Sequence, residues 1–242
     1  MGIWWSMHLD YTTWAGGLRH GATTLTAMKY INACKKLGLK GLLIEGWNEG
    51  WDGNWLENSD DMRHLQPAPD FDIHLVSQYA KSKNIELIGH HETVGNIAHY
   101  EYELPEAYEY YRQLGVKYVK TGYAAPRMTG SEFHHSQIGV NHYQKTVEMA
   151  AKNQIMLDIH EPIKGTGIER TWPNLMTREG AVTHEYGSNI TPEHTAILPF
   201  TRMLAGPIDY SSGLFKLQDL GRKKQIKTTL AKQLAFYVVL YS

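Results

Sequence analysis

The chain has 242 residues, 42% hydrophobic and 20% charged, with a formal net charge of −1. This globular composition allows one large core or at most two domains, and the near-neutral balance excludes an overall bias towards nucleic acid or an anionic membrane surface. The only cysteine, Cys34, excludes an intrachain disulfide and falls at helical spacing as a small buried hydrophobe; no apolar stretch reaches transmembrane length.

In chain order, MGIWWSMHLD lacks the basic start and apolar run of a signal peptide and reads as a strand over 3–8. TLTAMKYINACKKLG then shows helical spacing, and GLKGLLIEGWN a strand near 39–45. The same unit recurs: IHLVSQYAKSKN leads into IELIGHHE, ELPEAYEYYRQLG into VKYVKTGY, and GVNHYQKTVEMAAKNQ into IMLDIHE. EGAVTHEY reads as a short strand, PEHTAILPFTRMLA as helical or mixed, and GPIDYSSG as another strand. The basic run Arg222-Lys223-Lys224 reads as a solvated start to the final helix, QIKTTLAKQLAFYVVLY. About seven strands alternating with helices predict βαβ units and a parallel sheet.

Histidines and carboxylates collect at the C-terminal ends of these strands, the face that carries the site in a (β/α)8 barrel. Doubly wound sheets also bind ligands at strand ends, but no GxGxxG follows the first strand and there is no GxxxxGK[ST]. The expectation is an α/β chain forming one catalytic domain over 1–242, a (β/α)8 TIM-type barrel. Such barrels take about 250 residues, so seven visible strands predict truncation before the eighth.

Glu45, Glu92, Glu161, Glu179 and Glu185 are the candidate carboxylates. Glu45 ends a strand and is followed by Trp47, Trp51 and Trp55, which either stack on sugar rings or form a packing cluster. Glu92 and Glu161 each follow a histidine at a strand end, and such a pair can supply general acid and general base to a glycosidic bond. Glu179 and Glu185 with Glu161 make an oxygen-rich group whose repulsion a hard cation would relieve. The histidines leave zinc open as the metal, although the absence of H-E-x-x-H argues against a zinc peptidase. In LIGHHETVGN, Ile88, His90 and Glu92 share one parity and His91 has the other. His90 and Glu92 are therefore expected to face the barrel mouth and His91 the helical layer. Adjacent His160 and Glu161 need a bulge or the strand's end to meet at one site.

GIWWSMH, LLIEGWNEGWDGNW, PDFD, IGHHETVG, YVKTGY, IHEPIKGTGIERTWPNLMTREG, HEY and PEHTAILPFTRMLAGPIDY together resemble glycoside hydrolase family 97, above all its calcium-dependent α-glucosidases of starch-utilisation systems. The resemblance implies a barrel between an N-terminal β-sandwich and a C-terminal β domain, both outside these residues, and a periplasmic location. It implies Glu185 as general acid and Glu92 and Glu161 as water-activating carboxylates. Ca²⁺ would be held by Glu161, Glu179 and Glu185 plus a glutamate of the N-terminal domain. Substrate contacts would fall on His90, His160 and Lys120, with Glu45 and Trp47 added from their strand-end position. Retaining members carry an aspartate nucleophile in a Val-Lys-x-Asp pattern; here Val119-Lys120-Thr121-Gly122 stands in its place, which favours inversion. The implied activity is release of glucose from malto-oligosaccharides. An α-galactosidase of the same family, or a sugar- or calcium-binding barrel without turnover, are the alternatives.

Overall fold

A computed structural model describes residues 1–218 and 225–241; the basic run at 222–224 lies outside the described residues. Six parallel strands pair in sequence order. They are β1 (Gly2–Ile3), β2 (Gly41–Ile44), β3 (Glu86–Glu92), β4 (Tyr118–Gly122), β5 (Met156–Ile159) and β6 (Leu175–Arg178). Between them run α1 (Trp5–His8), α2 (Thr24–Leu37), α3 (Ile73–Ser82), α4 (Ile97–Leu114) and α5 (Gln137–Lys152); α6 (Pro192–Ile197) and α7 (Leu230–Val239) follow the last strand. This is the wall and jacket of a (β/α)8-type barrel, as the alternation predicts. No helix of the described residues is long and apolar enough to cross a membrane.

Local chemistry fixes the helix starts. Thr23, Asp72, Asn96 and Ser136 each accept a backbone N–H three residues on, capping α2, α3, α4 and α5. Gly38 and Gly115 end α2 and α4 in the left-handed region, where glycine carries no steric penalty. α4 begins six residues before the ELPEAYEYY pattern, and Pro105 lies inside it; the capping bond from His99 N–H to Asn96 starts the helix earlier than the proline suggests.

Strand alternation separates two environments. Leu42, Leu87, Val119 and Leu157 are buried in one cluster with Ile31, Val76, Tyr108 and Val147 of the helices. The opposite parity, including Leu43, Ile88, Tyr118 and Met156, lines the barrel interior.

Three expected strands differ. Only Gly2–Ile3 of the first is extended; the N–H groups of Met7 and His8 turn back to the carbonyl of Trp4, and Met7 is fully buried beneath that turn. The sixth strand is Leu175–Arg178, ahead of EGAVTHEY, because Gly180 at φ +60° breaks the chain and 184–189 winds into a 3₁₀ helix. GPIDYSSG contributes a single parallel bridge, Ile208 to Arg178, at the seventh position.

Close packing between β3 and α4 holds the third strand in place. A Cβ on Gly89 would lie 2.5 Å from the Tyr111 ring, so only glycine fits there without displacing the helix. Gly89→Ala is expected to cost about 1–3 kcal/mol through overpacking, measured by urea unfolding; a change below about 0.5 kcal/mol would show that α4 yields freely.

Candidate active site

The register of β3, β4 and β5 aligns His90 with Lys120 and Lys120 with Asp158. Two residues above the Leu43–Ile88 pair, Glu45 joins the same level. Lys120 Nζ donates to Glu45 Oε1 at 2.6 Å. Burial opposes both charges, yet each holds the other: Lys120 draws the Glu45 carboxyl below its ordinary value, and Glu45 raises Lys120. His90 Nε2 lies 3.9 Å from Glu45. Burial pulls its pKa down to about 3, against the pull of Glu45, so the ring is neutral. It is 1% exposed, its Nδ1 has no partner, and the Trp51 ring stacks over it at 6.0 Å.

Beside this level sits a second charged group. His160 Nε2 is 2.7 Å from Asp209 Oδ2 and 3.4 Å from Asp158 Oδ2, and its Nδ1 is 3.7 Å from Glu179. Burial and Lys120 oppose the charge on His160, but the two aspartates outweigh them and raise it well above the imidazole range. Asp209 is depressed by His160 in spite of burial, whereas burial and Asp209 push Asp158 up to about 7. Asp158 and Asp209 are additions to the sequence expectation. The signal for Asp158 was its parity with His160 in MLDIHE; Asp209 becomes visible only once the Ile208 bridge sets it beside Arg178.

Above these groups lie the two carboxylates expected to handle water. Glu92 Oε1 accepts N–H groups from Val94 at 2.8 Å and Ala124 at 3.0 Å. Burial and the charge of Glu161 nevertheless push its pKa up to about 7, against those two donors. Register pairs Glu92 with Gly122, and a Cβ at Gly122 would overlap Glu92 Oε2. Glu161 follows the end of β5 and takes φ +46°, a left-handed turn that frees it from strand alternation. Its Oε2 accepts from the Tyr123 N–H at 2.8 Å, and its carbonyl from Tyr143 Oη at 2.8 Å. The strand's end is thus what lets His160 and Glu161 share the site.

Glu179 lies just beyond β6. Burial pushes it up to about 7; His160 works against this, and Glu161 and Glu185 work with it. Glu185 sits in the 3₁₀ turn over 184–189, with its carbonyl 3.1 Å from His8 Nε2. Glu45, Glu92, Lys120, His160, Glu161 and Glu185 all line one cavity. The oxygens of Glu161, Glu179 and Glu185 are hard donors suited to Ca²⁺, although they do not all lie within 4.8 Å of one another, as Asp158, His160 and Asp209 do.

Two expectations change, for His90 and Trp47: His90, 1% exposed beneath Trp51, does not reach the cavity, whereas His91 takes its expected place. Trp47 is 2% exposed, packs on Phe71 and Tyr111 and donates Nε1–H to the His90 carbonyl at 2.9 Å; it belongs to the core, because the chain turns it away from the cavity after β2. Trp51 and Trp55 line the cavity instead, Trp51 stacked on Trp14 at 4.8 Å. His91 lies in the helical layer, stacked on Tyr111 at 4.8 Å with Nδ1 3.0 Å from Tyr100 Oη.

A family model described as Glycoside hydrolase 97 matches residues 4–181. The chain is 45% identical to a glycoside hydrolase family 97 enzyme from Pseudoalteromonas sp. strain K8 solved in complex with acarbose, with a TM-score of 0.93 over 100% of this chain and 39% of that one. A variant of that enzyme, solved with panose, matches equally. A retaining alpha-galactosidase of Bacteroides thetaiotaomicron is 25% identical over 99% of this chain and 34% of its own length. A probable retaining alpha-galactosidase of Streptomyces bingchenggensis is 28% identical over 84% and 30%. The chain therefore spans about a third of the length of these curated relatives.

Removing Lys120 would strand Glu45 in a site where it is 7% exposed. Lys120→Met is expected to cost about 3–5 kcal/mol at neutral pH, measured by urea unfolding. The folded carboxyl of Glu45 lies below its unfolded value, so its stabilisation is present above about pH 4.3 and fades as pH falls through the folded value. The difference between parent and variant should therefore shrink in acid; a difference constant with pH would show that the pair is not its source.

Proposed function

Because the chain belongs to glycoside hydrolase family 97, we propose that it is the catalytic barrel of an inverting α-glucosidase acting on malto-oligosaccharides. The observation that carries inversion is the fit of Glu92 against Gly122. Gly122 stands where the resemblance implies an aspartate in retaining members, and glycine has no group to attack an anomeric carbon. The same absence of a side chain makes room for the Glu92 carboxylate, so a nucleophile at 122 and Glu92 in its present position exclude each other.

In this reading Glu185 gives its proton to the departing glycosidic oxygen as the bond to the anomeric carbon breaks. Glu92, with Glu161 beside it, takes a proton from water as the water oxygen bonds to the opposite face of the same carbon. A carboxylate near pKa 7 is poised to act as base at neutral pH. Lys120 and His160, each held by carboxylates, present fixed N–H donors towards the cavity for sugar hydroxyls. His90 lies beneath Trp51 and supports that wall. Glucose-type substrates are favoured by the 45% identical enzyme solved with acarbose and panose. The names of the curated relatives favour a second reading, hydrolysis of an α-galactoside.

Glu161, Glu179 and Glu185 would hold Ca²⁺. The bound ion would neutralise their mutual repulsion, which adds to burial in raising Glu179. Titration calorimetry on the full-length chain should show calcium binding that Glu179→Gln weakens at least about tenfold, a loss of roughly 1.4 kcal/mol; undiminished binding would remove Glu179 from the ligand set.

Proton NMR of maltose hydrolysis by the full-length chain is expected to show the β-anomer of glucose from the cleaved ring first; an α-anomer first would overturn inversion. Glu185→Gln should lower turnover of substrates with poor leaving groups by about 10²–10⁴. Faster cleavage of an aryl α-galactoside than of the matching α-glucoside would select the second reading.

A further inference from the structure

Two histidines outside the cavity, each in a connecting segment, meet in the same way a carbonyl at or just beyond the end of β2 and of β3. His64 Nδ1 lies 2.7 Å from Glu103 Oε2, and its Nε2 lies 3.0 Å from the carbonyl of Glu92. His20 Nδ1 lies 2.7 Å from Asp70 Oδ1, and its Nε2 lies 3.0 Å from the carbonyl of Gly46, the residue after Glu45. Both imidazoles are wholly buried side chains. A carboxylate and a carbonyl only accept, so each ring must donate from both nitrogens to satisfy the arrangement. His64, His99 and Glu103 come close enough together to suggest a metal site. With both of its nitrogens committed to acceptors, however, His64 has no lone pair to give a cation.

The peptide that His64 grips is the one whose carboxylate is to activate water. Glu92 folds back to accept the Val94 N–H, and Val94 holds φ +50°, a left-handed conformation that is unfavourable for a β-branched residue. Such a turn persists only if its surroundings fix it. The His64 bond fixes the Glu92 carbonyl from below, while Thr93 Oγ1 donates to the Gly122 carbonyl at 2.9 Å from the side. Glu103 Oε2 also accepts the His64 backbone N–H at 3.1 Å, locking the histidine's own position.

We propose that His64 and Glu103 form a positioning pair that holds the Glu92 peptide, and through it the Glu92 carboxylate, in the geometry needed to activate water. The inference rests on the assignment of Glu92 in the proposed function. His20 and Asp70 are the matching pair beneath Glu45. The groups facing the His64 ring are Glu103, His99 and Tyr100 of α4 and His91 of β3.

The test is Glu103→Leu in the full-length chain. Leucine accepts no hydrogen bond, so the His64 ring and its backbone N–H both lose the group that orients them, while the Glu92 side chain is untouched. kcat should fall roughly tenfold with KM within about twofold, the scale of one charge-assisted hydrogen bond. Glu103→Gln is the conservative variant: its carboxamide can donate to Nδ1 while Nε2–H still meets the Glu92 carbonyl, and its oxygen can accept the His64 N–H, so it should recover most of that loss. His64→Phe, which offers the Glu92 carbonyl no N–H, should show a kcat deficit of the same size and decides the question should Glu103→Leu fail to fold. Unchanged kcat in Glu103→Leu and His64→Phe, no recovery in Glu103→Gln, or a loss confined to KM would overturn the pair. Glu92→Gln is measured alongside. Full activity in that variant would overturn the role of Glu92 itself, whereas its inactivity with normal Glu103→Leu and His64→Phe would overturn only the positioning pair.

Discussion

The register of β3 against β4 places His90 opposite Lys120 and Glu92 opposite Gly122, and the site depends on both pairings. A slip by one residue would turn every side chain of β3 to the other face, sending Glu92 into the helical layer where His91 now stacks on Tyr111. The register is set by burial on both faces. Leu87 and His91 fill the space under α4, and Gly89 leaves room for the Tyr111 ring. The core packing that stabilises the barrel is thus also what aims its carboxylates, and a change at Gly89, far from any reacting atom, reaches the site through the same strand.

Several acidic groups crowd into one mouth, and the fold manages their repulsion in two different ways. At the level of Lys120, cations intervene: Lys120 keeps Glu45 ionised, and His160 keeps Asp209 ionised. One level up, among the described residues, Glu92 and Glu161 make no ion pair, and Lys120 lowers Glu92 only from a distance. Their partners are peptide N–H groups of Val94, Ala124 and Tyr123, which carry only partial charge. Burial and neighbouring carboxylates hold Glu92 near pKa 7, and Glu179 there too in spite of His160, where a carboxylate exchanges protons readily at neutral pH. The Lys120–Glu45 and His160–Asp209 pairs are fixed in charge and suited to holding a substrate; Glu92 is movable in charge and suited to proton transfer.

Much of this was legible in the sequence where periodicity or a motif speaks. The β/α alternation and the opposite parity of His90 and His91 follow from spacing. What could not be read depended on distant segments meeting. Asp209 joins His160 across 49 residues, and LMTR, which no periodicity marks, is a strand through its pairing with β5. Trp47 misled because proximity in sequence to Glu45 says nothing about direction once the strand has ended. Glu161 escaped the alternation rule because its backbone leaves the extended region altogether.

Strain and support are coupled at this mouth. Val94 and Glu161 both occupy the left-handed region without being glycine, each at a cost on the order of 1–3 kcal/mol, and both lie where a carboxylate must be turned against the direction of its strand. Each turn is held by a bond from a residue behind the sheet: His64 on the Glu92 carbonyl and Tyr143 on the Glu161 carbonyl. The supporting groups are themselves anchored. His64 is held by Glu103, and Tyr143 packs at a tilt against Tyr123, whose hydroxyl meets His142 and, through it, Glu101. Polar helical residues at this depth would ordinarily weaken a core. Here they lie directly behind the strained turns at Val94 and Glu161, so their burial is explained by the geometry they impose, and the polar chains behind β3 and β5 form a second structural layer of the site.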